Sequence, residues 1–191
     1  GAGLLADEGL VIAHSLVLAN VMGHDSHGVI RVVQYCSALD DGKVNPGQRI
    51  KVTKEADASA VVDGEWGFGQ TICHQAMDIA IAKAKARSVA VVEVFNCSHI
   101  GRLGEYVEAA AEQNILGIVM CNNHGGGLLQ PPFGGIDARM SPNPIAVGIP
   151  TGGAFPIVGW SFLEKKRFKD YTTTQMTAII RELGGGHARK K

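Results

Sequence analysis

The chain has 191 residues, of which 46% are hydrophobic and 19% charged, which suits a globular core and excludes a disordered protein. Its 18 basic residues balance its 18 acidic residues, which argues against a general attraction to nucleic acid or to acidic membranes. There is no apolar run of membrane-spanning length and no recognisable signal peptide. Four widely spaced cysteines form no CxxC motif, which excludes a zinc knuckle and favours a reduced, cytoplasmic protein.

Periodic apolar residues predict alternating helices and strands along most of the chain. The predicted helices are residues 3–22, 29–39, 70–87 and 105–113. The predicted strands are residues 49–55, 58–62, 89–95, 115–121, 145–149 and 154–158, with a turn at Asp63 and Gly64. Strands 89–95 and 115–121 are apolar enough to be buried. The helix–strand–helix–strand order from residue 70 to residue 121 predicts a layered, mixed-sheet α/β (α+β) fold with at least one parallel strand pair.

Charge divides the chain near Val158. Residues 159–191 hold eight basic and three acidic residues, whereas residues 1–158 have a net negative charge. We therefore predict a helical segment over residues 1–47, an α/β domain over residues 48–158 and a basic tail over residues 159–191, with one helix at residues 172–183. The tail is interpreted as a solvated end, with a nucleic-acid or partner-binding arm as the alternative.

The dinucleotide fingerprint GxGxxG is not met. Gly67 and Gly69 are followed by Gln70, Thr71 and Ile72, so the third glycine is missing. A Rossmann phosphate loop is therefore not supported.

A first candidate site follows the first helix, at residues 24–28 (HDSHG). If the chain is helical from Val29 onward, His27, Arg31 and Tyr35 lie on one helix face. Arginine can hold a carboxylate by two parallel hydrogen bonds, and histidine can exchange a proton near neutral pH. The alternative is an ordinary capped helix start with surface pairs.

A second candidate site is the loop at residues 97–104 (CSHIGRLG), which follows a predicted strand and precedes a helix. The carboxyl ends of strands in α/β sheets are common ligand positions. His99 is placed as a general acid–base group, and Gly101 and Gly104 would allow an anion to approach the helix N-terminus. The alternative is a glycine-rich loop with a structural histidine.

A third candidate region includes the loop at residues 121–127 (CNNHGGG) and the segments at residues 131–135 (PPFGG) and 141–144 (SPNP). Loops of this kind position backbone atoms against a ligand. For any single residue here, a plain connection is the alternative.

Taken together, these segments resemble the malate/L-lactate/sulfolactate dehydrogenase family, the type-2 group that includes ureidoglycolate dehydrogenase and 2,3-diketogulonate reductase. The resemblance rests on residues 23–31 (GHDSHGVIR) with Tyr35, 42–46 (GKVNP), 63–70 (DGEWGFGQ), 98–102 (SHIGR), 132–135 (PFGG) and 143–146 (NPIA). It covers residues 1–158, and the order of the motifs makes it specific.

The resemblance implies a fold other than the Rossmann fold. It also implies hydride transfer between NAD or NADP and C2 of a small 2-hydroxy or 2-oxo acid, usually in a homodimer. His99 would be the acid–base group, with His27 in the same site, and some members are assigned that histidine as the proton donor. Arg31 would hold the substrate carboxylate and Tyr35 would shape the pocket. The residues expected to contact the cofactor are Asn123, His27, Gly101 and Asn143.

The sequence departs from the family pattern after Val158, where residues 159–164 (GWSFLE) replace a segment that helps to bind the dinucleotide. Family members are much longer, so the chain is interpreted as a truncated product, an internal deletion or a fragment. We hypothesise that it keeps the acid–base half of the site and binds the cofactor weakly or not at all.

Two other functions are compatible with the sequence. His24, His27, His99 and His124, together with Asp25, could bind a divalent metal ion in a hydrolase or a metal-binding module. The chain could also be an inactive remnant that pairs with a full-length relative.

Overall fold

The computed structural model describes residues 6–123, 127–128, 130–152 and 157–161. The helices are α1 (Ala6–Val21), α2 (Val32–Asp40), α3 (Gly69–Arg87) and α4 (Gly104–Glu112). The strands are β1 (Lys51–Ala56), β2 (Ser59–Gly67), β3 (Val91–Cys97), β4 (Gly117–Met120), β5 (Ile145–Ile149) and β6 (Ile157–Ser161). The mixed helix-and-sheet architecture predicted from the sequence is confirmed.

The chain divides into two compact units. The first comprises residues 1–119 with 146–159, and the second comprises residues 120–145 with 160–191. The strands form two sheets of three, in the orders β1-β2-β3 and β4-β5-β6. The predicted three-part division of the chain stays a prediction.

In the first sheet, β1 and β2 form an antiparallel hairpin, and β3 pairs with β2 in parallel. Helix α3 connects the two parallel strands. The helix–strand alternation from residue 70 to residue 121 predicts a parallel pair, but its two strands, β3 and β4, belong to different sheets. Alanine and valine side chains on the inner face form a core with α3, namely Ala60, Val62 and Ala76, against which Ile50, Ile79, Val92 and Val94 pack.

The predicted turn at Asp63 and Gly64 is wrong, because both residues lie inside β2. The hairpin turns at residues 57–58 instead. Gly64 is buried, and a Cβ atom there would lie 2.9 Å from the Asn96 carbonyl oxygen of β3. Asp63 Oδ1 accepts hydrogen bonds from the Glu65 amide and the Asn96 side chain. Asp63 and Gly64 therefore allow β2 and β3 to approach closely. Residue types that favour turns serve here as a close contact between strands.

A second core cluster lies between the first helices and the start of α3. It consists of Ile12, Leu16, Tyr35, Val44 and Phe68, with Ala38 and Leu39 packed against it. Helix α2 begins at Val32, and residues 29–31 form a separate 3₁₀ turn. The predicted α-helix over residues 29–39 is therefore wrong in its first turn.

The buried carboxylate of Glu105 connects helices α1, α3 and α4. Its oxygens accept a hydrogen bond from Ser15 Oγ at 2.5 Å and lie 2.7 Å from His74 Nε2. A buried carboxylate needs such partners, because burial without them costs several kcal/mol. These contacts fix the start of α4, directly after the loop that contains His99.

Strands β3 and β4 are each covered on one face only. Val91 and Phe95 of β3 are 66% and 39% exposed, and Ile118 and Met120 of β4 are 52% and 67% exposed. The prediction that both strands are buried is therefore wrong for the outer face of each. Apolar composition indicates a strand that is suited to burial, but it does not show which chain covers it.

Several predicted features lie partly or wholly outside the described residues. Among them are His124, the helix at residues 172–183 and most of the basic tail. Of the predicted strand at residues 154–158, residues 154–156 lie outside the described residues, and residues 157–158 lie in β6.

None of the described helices is both long and apolar enough to cross a membrane. The four cysteines, all within the described residues, form no disulfide with one another.

The close approach of α3 to the loop that contains His99 depends on glycine at position 69. Gly69 is buried, and a Cβ atom there would lie 2.5 Å from the His99 carbonyl carbon and 2.6 Å from the Ser98 carbonyl oxygen. Because both obstacles are backbone atoms, we expect Gly69→Ala to lower the free energy of unfolding by about 1–3 kcal/mol. Urea denaturation measures this change.

The matched control is Gly9→Ala in α1, where no atom lies within 4 Å of the added methyl group. This substitution should leave stability unchanged or raise it by about 0.5–1 kcal/mol, because alanine favours helices. Equal effects of the two substitutions would contradict the close approach at Gly69.

Candidate active site

Three histidines from two loops meet in the first unit. His24 precedes the short 3₁₀ turn Asp25–His27, His27 is the last residue of that turn, and His99 follows β3. His24 Nε2 lies 2.8 Å from His27 Nδ1. The His27 ring is stacked on the His99 ring, with 5.2 Å between their centroids. The predicted sites at residues 24–28 and 97–104 are therefore one site.

Asn20, in the last turn of α1, fixes the turn that contains His27. Its Nδ2 donates to Asp25 Oδ1 at 2.5 Å, and its Oδ1 accepts the Val29 amide at 2.8 Å. A side chain at Gly28 would collide with the Asn20 amide. One side-chain amide from the preceding helix thus holds the segment GHDSHGV in its conformation.

Tyr35 connects α2 to His99. The tyrosine is buried, and its ring contacts Phe68 edge-on at a centroid distance of 5.9 Å. Its hydroxyl lies 2.8 Å from His99 Nδ1 and accepts a hydrogen bond of 2.7 Å from Gln70 Nε2. Because Nδ1 is engaged by Tyr35, Nε2 is the nitrogen of His99 that can exchange a proton with a ligand.

Arg31 is half-buried beside the histidines. Its Nε donates to the Ser26 carbonyl oxygen at 2.6 Å, and its Nη1 donates to Gln34 Oε1 at 2.7 Å. These bonds hold the guanidinium near the imidazoles. Its positive charge disfavours protonation of both His27 and His99.

The cluster favours neutral imidazoles. Burial lowers the pKa of His99 to about 4, with a smaller contribution from the charge of Arg31. The pKa of His27 is lowered to about 3, chiefly by burial and to a smaller extent by His24, His99 and Arg31. Burial raises the pKa of Tyr35, so the tyrosine stays a hydroxyl.

The described structure brings together four of the residues predicted as catalytic: His99, His27, Arg31 and Tyr35. The predicted reason for their proximity is wrong, because His27 and Arg31 lie in 3₁₀ turns and do not continue the stripe of α2. The two turns place them near Tyr35 all the same, through the hydrogen bonds of Asn20 and Arg31.

Of the residues predicted to bind the cofactor, only His27 and Gly101 lie in the first unit. Gly101 is buried with a φ of +71°, and a Cβ atom there would be 3.1 Å from Gln70 Nε2. These constraints explain the glycine structurally. A role for Gly101 in cofactor binding stays a prediction.

Asn123 and Asn143 belong to the second unit, where both are exposed. The Cys121 amide donates to the Pro144 carbonyl oxygen at 3.2 Å, so the segments that contain the two asparagines run side by side. Asn143 has a φ of +42°, a conformation that asparagine tolerates better than most residues.

Within the part of the chain that the structure describes, no three His, Cys, Asp or Glu side chains are grouped so that they could hold a metal ion. Inside the described cluster the three imidazoles face one another, Tyr35 and Ser26. His124, the remaining member of the hypothetical metal set, is outside the described residues.

The sequence analysis missed Asn20, Gln70 and Ser98. Ser98 Oγ donates to the Gly67 carbonyl oxygen at 2.8 Å and accepts the Gly69 amide at 2.9 Å. The backbone groups of the GFG segment are thus used within the protein, which explains physically why this segment is not a phosphate loop. A serine directly before a candidate histidine was the signal available in the sequence.

The fold and the site together define an α/β protein, not of the Rossmann kind, with a candidate acid–base site of neutral histidines beside an arginine. A family model described as malate/L-lactate dehydrogenase matches residues 1–159. The chain is 36% identical over 151 residues to a malate dehydrogenase of Pyrococcus abyssi, covering 79% of this chain and 41% of the relative. It is 39% identical over 145 residues to the L-sulfolactate dehydrogenase of Methanocaldococcus jannaschii, covering 76% and 41%.

A solved structure of a putative malate/lactate dehydrogenase from E. coli matches with a TM-score of 0.79 and 30% identity, covering 96% of this chain and 49% of that one. The chain therefore belongs to the malate/L-lactate dehydrogenase family, as the motifs predict. It spans about two fifths of the length of the curated relatives it matches.

The lowered pKa values of the two histidines predict how stability depends on pH. Between about pH 4 and pH 6.5 the unfolded chain binds protons at these histidines and the folded chain does not. The free energy of unfolding should therefore fall as the pH is lowered through this range. Urea denaturation at a series of pH values measures the slope.

Replacing His99 by Gln removes one of these titrations and should flatten the profile. His14→Gln, at an exposed position in α1, should leave the slope unchanged. A slope that is the same in the chain and in His99→Gln would argue against a buried, neutral His99.

Proposed function

We propose that this chain contributes the proton-transfer and carboxylate-binding part of an oxidoreductase site. The reaction moves a hydride between NAD or NADP and C2 of a small 2-hydroxy or 2-oxo acid. The observation that carries the proposal is the His99 environment: a half-buried imidazole with Nδ1 on Tyr35, stacked on His27 and close to Arg31.

His99 is proposed as the acid–base group. When the 2-oxo acid is reduced, the carbonyl oxygen gains a proton, and His99 Nε2 can supply it. In the reverse direction Nε2 takes the hydroxyl proton of the 2-hydroxy acid. A pKa lowered to about 4 leaves His99 neutral at physiological pH, and the neutral ring acts as the base at Nε2 when its own proton is on Nδ1.

Arg31 is proposed to bind the substrate carboxylate. Its Nη1 and Nε bonds to neutral oxygens fix the side chain without using an acidic partner. A guanidinium whose charge is not neutralised by a protein carboxylate can form charge-assisted hydrogen bonds to an anionic ligand. A bound carboxylate would also offset the positive charge of Arg31, which lowers the pKa of His99. Substrate binding would therefore raise the pKa of His99.

The nicotinamide cofactor supplies or accepts the hydride. The chemistry of the residues present fits such a group: Asn123 and Asn143 carry exposed amides, which offer both donors and acceptors to a carboxamide and to ribose hydroxyls. We propose these two residues, His27 and Gly101 as cofactor contacts, as the family resemblance implies. The residues named here do not discriminate between NAD and NADP.

Binding and turnover test the proposal. We expect NADH or NADPH fluorescence to titrate saturably with the purified chain, and pyruvate or oxaloacetate to be reduced. His99→Gln should lower kcat/KM by roughly 100- to 10,000-fold, because it removes the proton-transfer group. Arg31→Lys keeps the charge but loses the two-bonded geometry, so it should raise KM by about tenfold.

Arg49→Lys is the matched control for Arg31→Lys. Arg49 is exposed and pairs with Asp7 at 3.0 Å, so this substitution should not change KM. A folded chain that binds neither cofactor would contradict the cofactor contacts proposed above and support the hypothesis that the chain keeps only the acid–base half of the site. Association with a full-length relative, measured as a change in sedimentation, would then support the inactive-remnant alternative.

We also propose that the protein forms a homodimer. Apolar side chains next to the candidate site are exposed in the single chain, with Ile30 at 70% and Val33 at 75%. Exposed apolar groups this close together favour association. Sedimentation equilibrium should give twice the chain mass, and a monomer at all concentrations would contradict the proposal.

A further inference from the structure

Gln70 occupies a buried position that the proposed reaction does not explain. It lies in the first turn of α3, is 0% exposed, and donates from Nε2 to the Tyr35 hydroxyl at 2.7 Å. The same hydroxyl lies 2.8 Å from His99 Nδ1. Three side chains from α3, α2 and the loop after β3 thus form one hydrogen-bonded chain that ends on the proposed acid–base group.

The position of the protons in this hydrogen-bonded series of side chains determines which ring nitrogen of His99 is protonated. A tyrosine hydroxyl has one proton to donate and two lone pairs that accept. The amide nitrogen of Gln70 can only donate, so it occupies a lone pair of the Tyr35 oxygen. The proton of Tyr35 is then available to Nδ1 of His99. A ring nitrogen that accepts a hydrogen bond carries no proton, so neutral His99 has its proton on Nε2.

We propose that Gln70 is a positioning residue that, through Tyr35, selects which nitrogen of His99 carries the proton. In the described arrangement this is the Nε2–H tautomer, with a donor directed toward the ligand. This inference rests on the proposed function for its catalytic meaning. The tautomer itself is a property of the chain that can be measured without turnover.

The second atom of the Gln70 amide suggests why glutamine is used here. Oε1 is buried and accepts no hydrogen bond from the described residues. A half-turn of the amide would place Oε1 against Tyr35 in the position that Nε2 now occupies. The Tyr35 hydroxyl would then donate its proton to Gln70 Oε1. The Tyr35 oxygen would accept a hydrogen bond from a protonated Nδ1 of His99, which leaves the lone pair of Nε2 for the ligand. Each orientation of one neutral amide thus corresponds to one tautomer of His99.

The two tautomers offer different groups to the two substrates of the proposed reaction. With a proton on Nε2, neutral His99 donates a hydrogen bond to the carbonyl oxygen of a 2-oxo acid, and the proton itself is transferred only from the imidazolium form. With its proton on Nδ1 and a lone pair on Nε2, His99 accepts the hydroxyl proton of a 2-hydroxy acid and becomes the imidazolium, which returns that proton in the reverse direction. Leucine or methionine at position 70 would fill a similar volume but could favour neither tautomer, because neither side chain has a group that forms a strong hydrogen bond with Tyr35.

Gly101 and the core keep the amide at this position. Gly101 lies close enough that a Cβ atom on it would be 3.1 Å from Gln70 Nε2. Tyr35 is held by its contact with Phe68 and by the cluster of Ile12 and Leu16. The hydroxyl of Tyr35 therefore has little freedom to leave the line between Gln70 and His99.

The test is ¹⁵N NMR of the histidine side chains in the ligand-free, ¹⁵N-histidine-labelled chain at neutral pH. We expect His99 to have a protonated Nε2 and an unprotonated Nδ1. At a pH high enough to ionise the carboxyl group of Gln70→Glu, that group can only accept, so Tyr35 must donate to it and the tautomer should change to Nδ1–H. His99 with a protonated Nδ1 in the unsubstituted chain would overturn the proposal.

Two further variants keep the test decisive if Gln70→Glu does not fold. In Gln70→Leu the His99 signals should move toward those of exposed His14, because the bias from the amide is lost. In a Tyr35→Phe background, changing Gln70 to Leu should have no further effect on His99, because the link is already broken. Unchanged His99 signals in Gln70→Leu, or a full effect without Tyr35, would overturn the proposal.

Kinetics separates this inference from the proposed function. If the protein catalyses the reaction, Gln70→Leu should lower kcat by about tenfold and shift the pH profile of kcat, with KM changed less than about twofold. Removing the acid–base group itself lowers the rate by roughly 100- to 10,000-fold. Gln113→Leu, at an exposed position after α4, is the matched control and should leave kcat, its pH profile and KM unchanged. A chain without turnover that still shows the tautomer change would contradict the proposed function and support the role of Gln70.

Discussion

The candidate site depends on the contact between Gly69 and the backbone of Ser98 and His99. At this point the start of α3 lies against the loop after β3 without any side chain between them. Ser98 secures the contact by bonding to the Gly67 carbonyl oxygen and to the Gly69 amide. Since these bonds join backbone to a short side chain, they leave His99 little room to move.

The rest of the site is arranged around that fixed loop. Because Gln70 follows Gly69 directly, the same contact brings its amide to Tyr35 and hence to His99. The second loop is held separately, by Asn20 at the end of α1, and it places His27 on the His99 ring. A site built from two anchored loops can keep imidazoles, arginine and tyrosine in contact without a metal ion or a disulfide to fix them.

Burial and charge then act in the same direction on the histidines. Burial alone disfavours the imidazolium form, and the positive charge of Arg31 disfavours it further. The positive charge of Arg31 beside these half-buried rings is the feature on which its proposed carboxylate-binding role rests.

The sequence by itself determined the mixed α/β architecture and showed that GxGxxG is not met, and it singled out His99, His27, Arg31 and Tyr35 as candidate site residues, because periodicity and residue chemistry are local properties. It could not determine that Asp63 and Gly64 lie within β2, since glycine serves both turns and close strand contacts. The tertiary structure alone decided that His27 and Arg31 reach Tyr35 through 3₁₀ turns and that Gln70 and Asn20 support the site. These contacts join residues distant in sequence, and their hydrogen bonds leave no periodic signal.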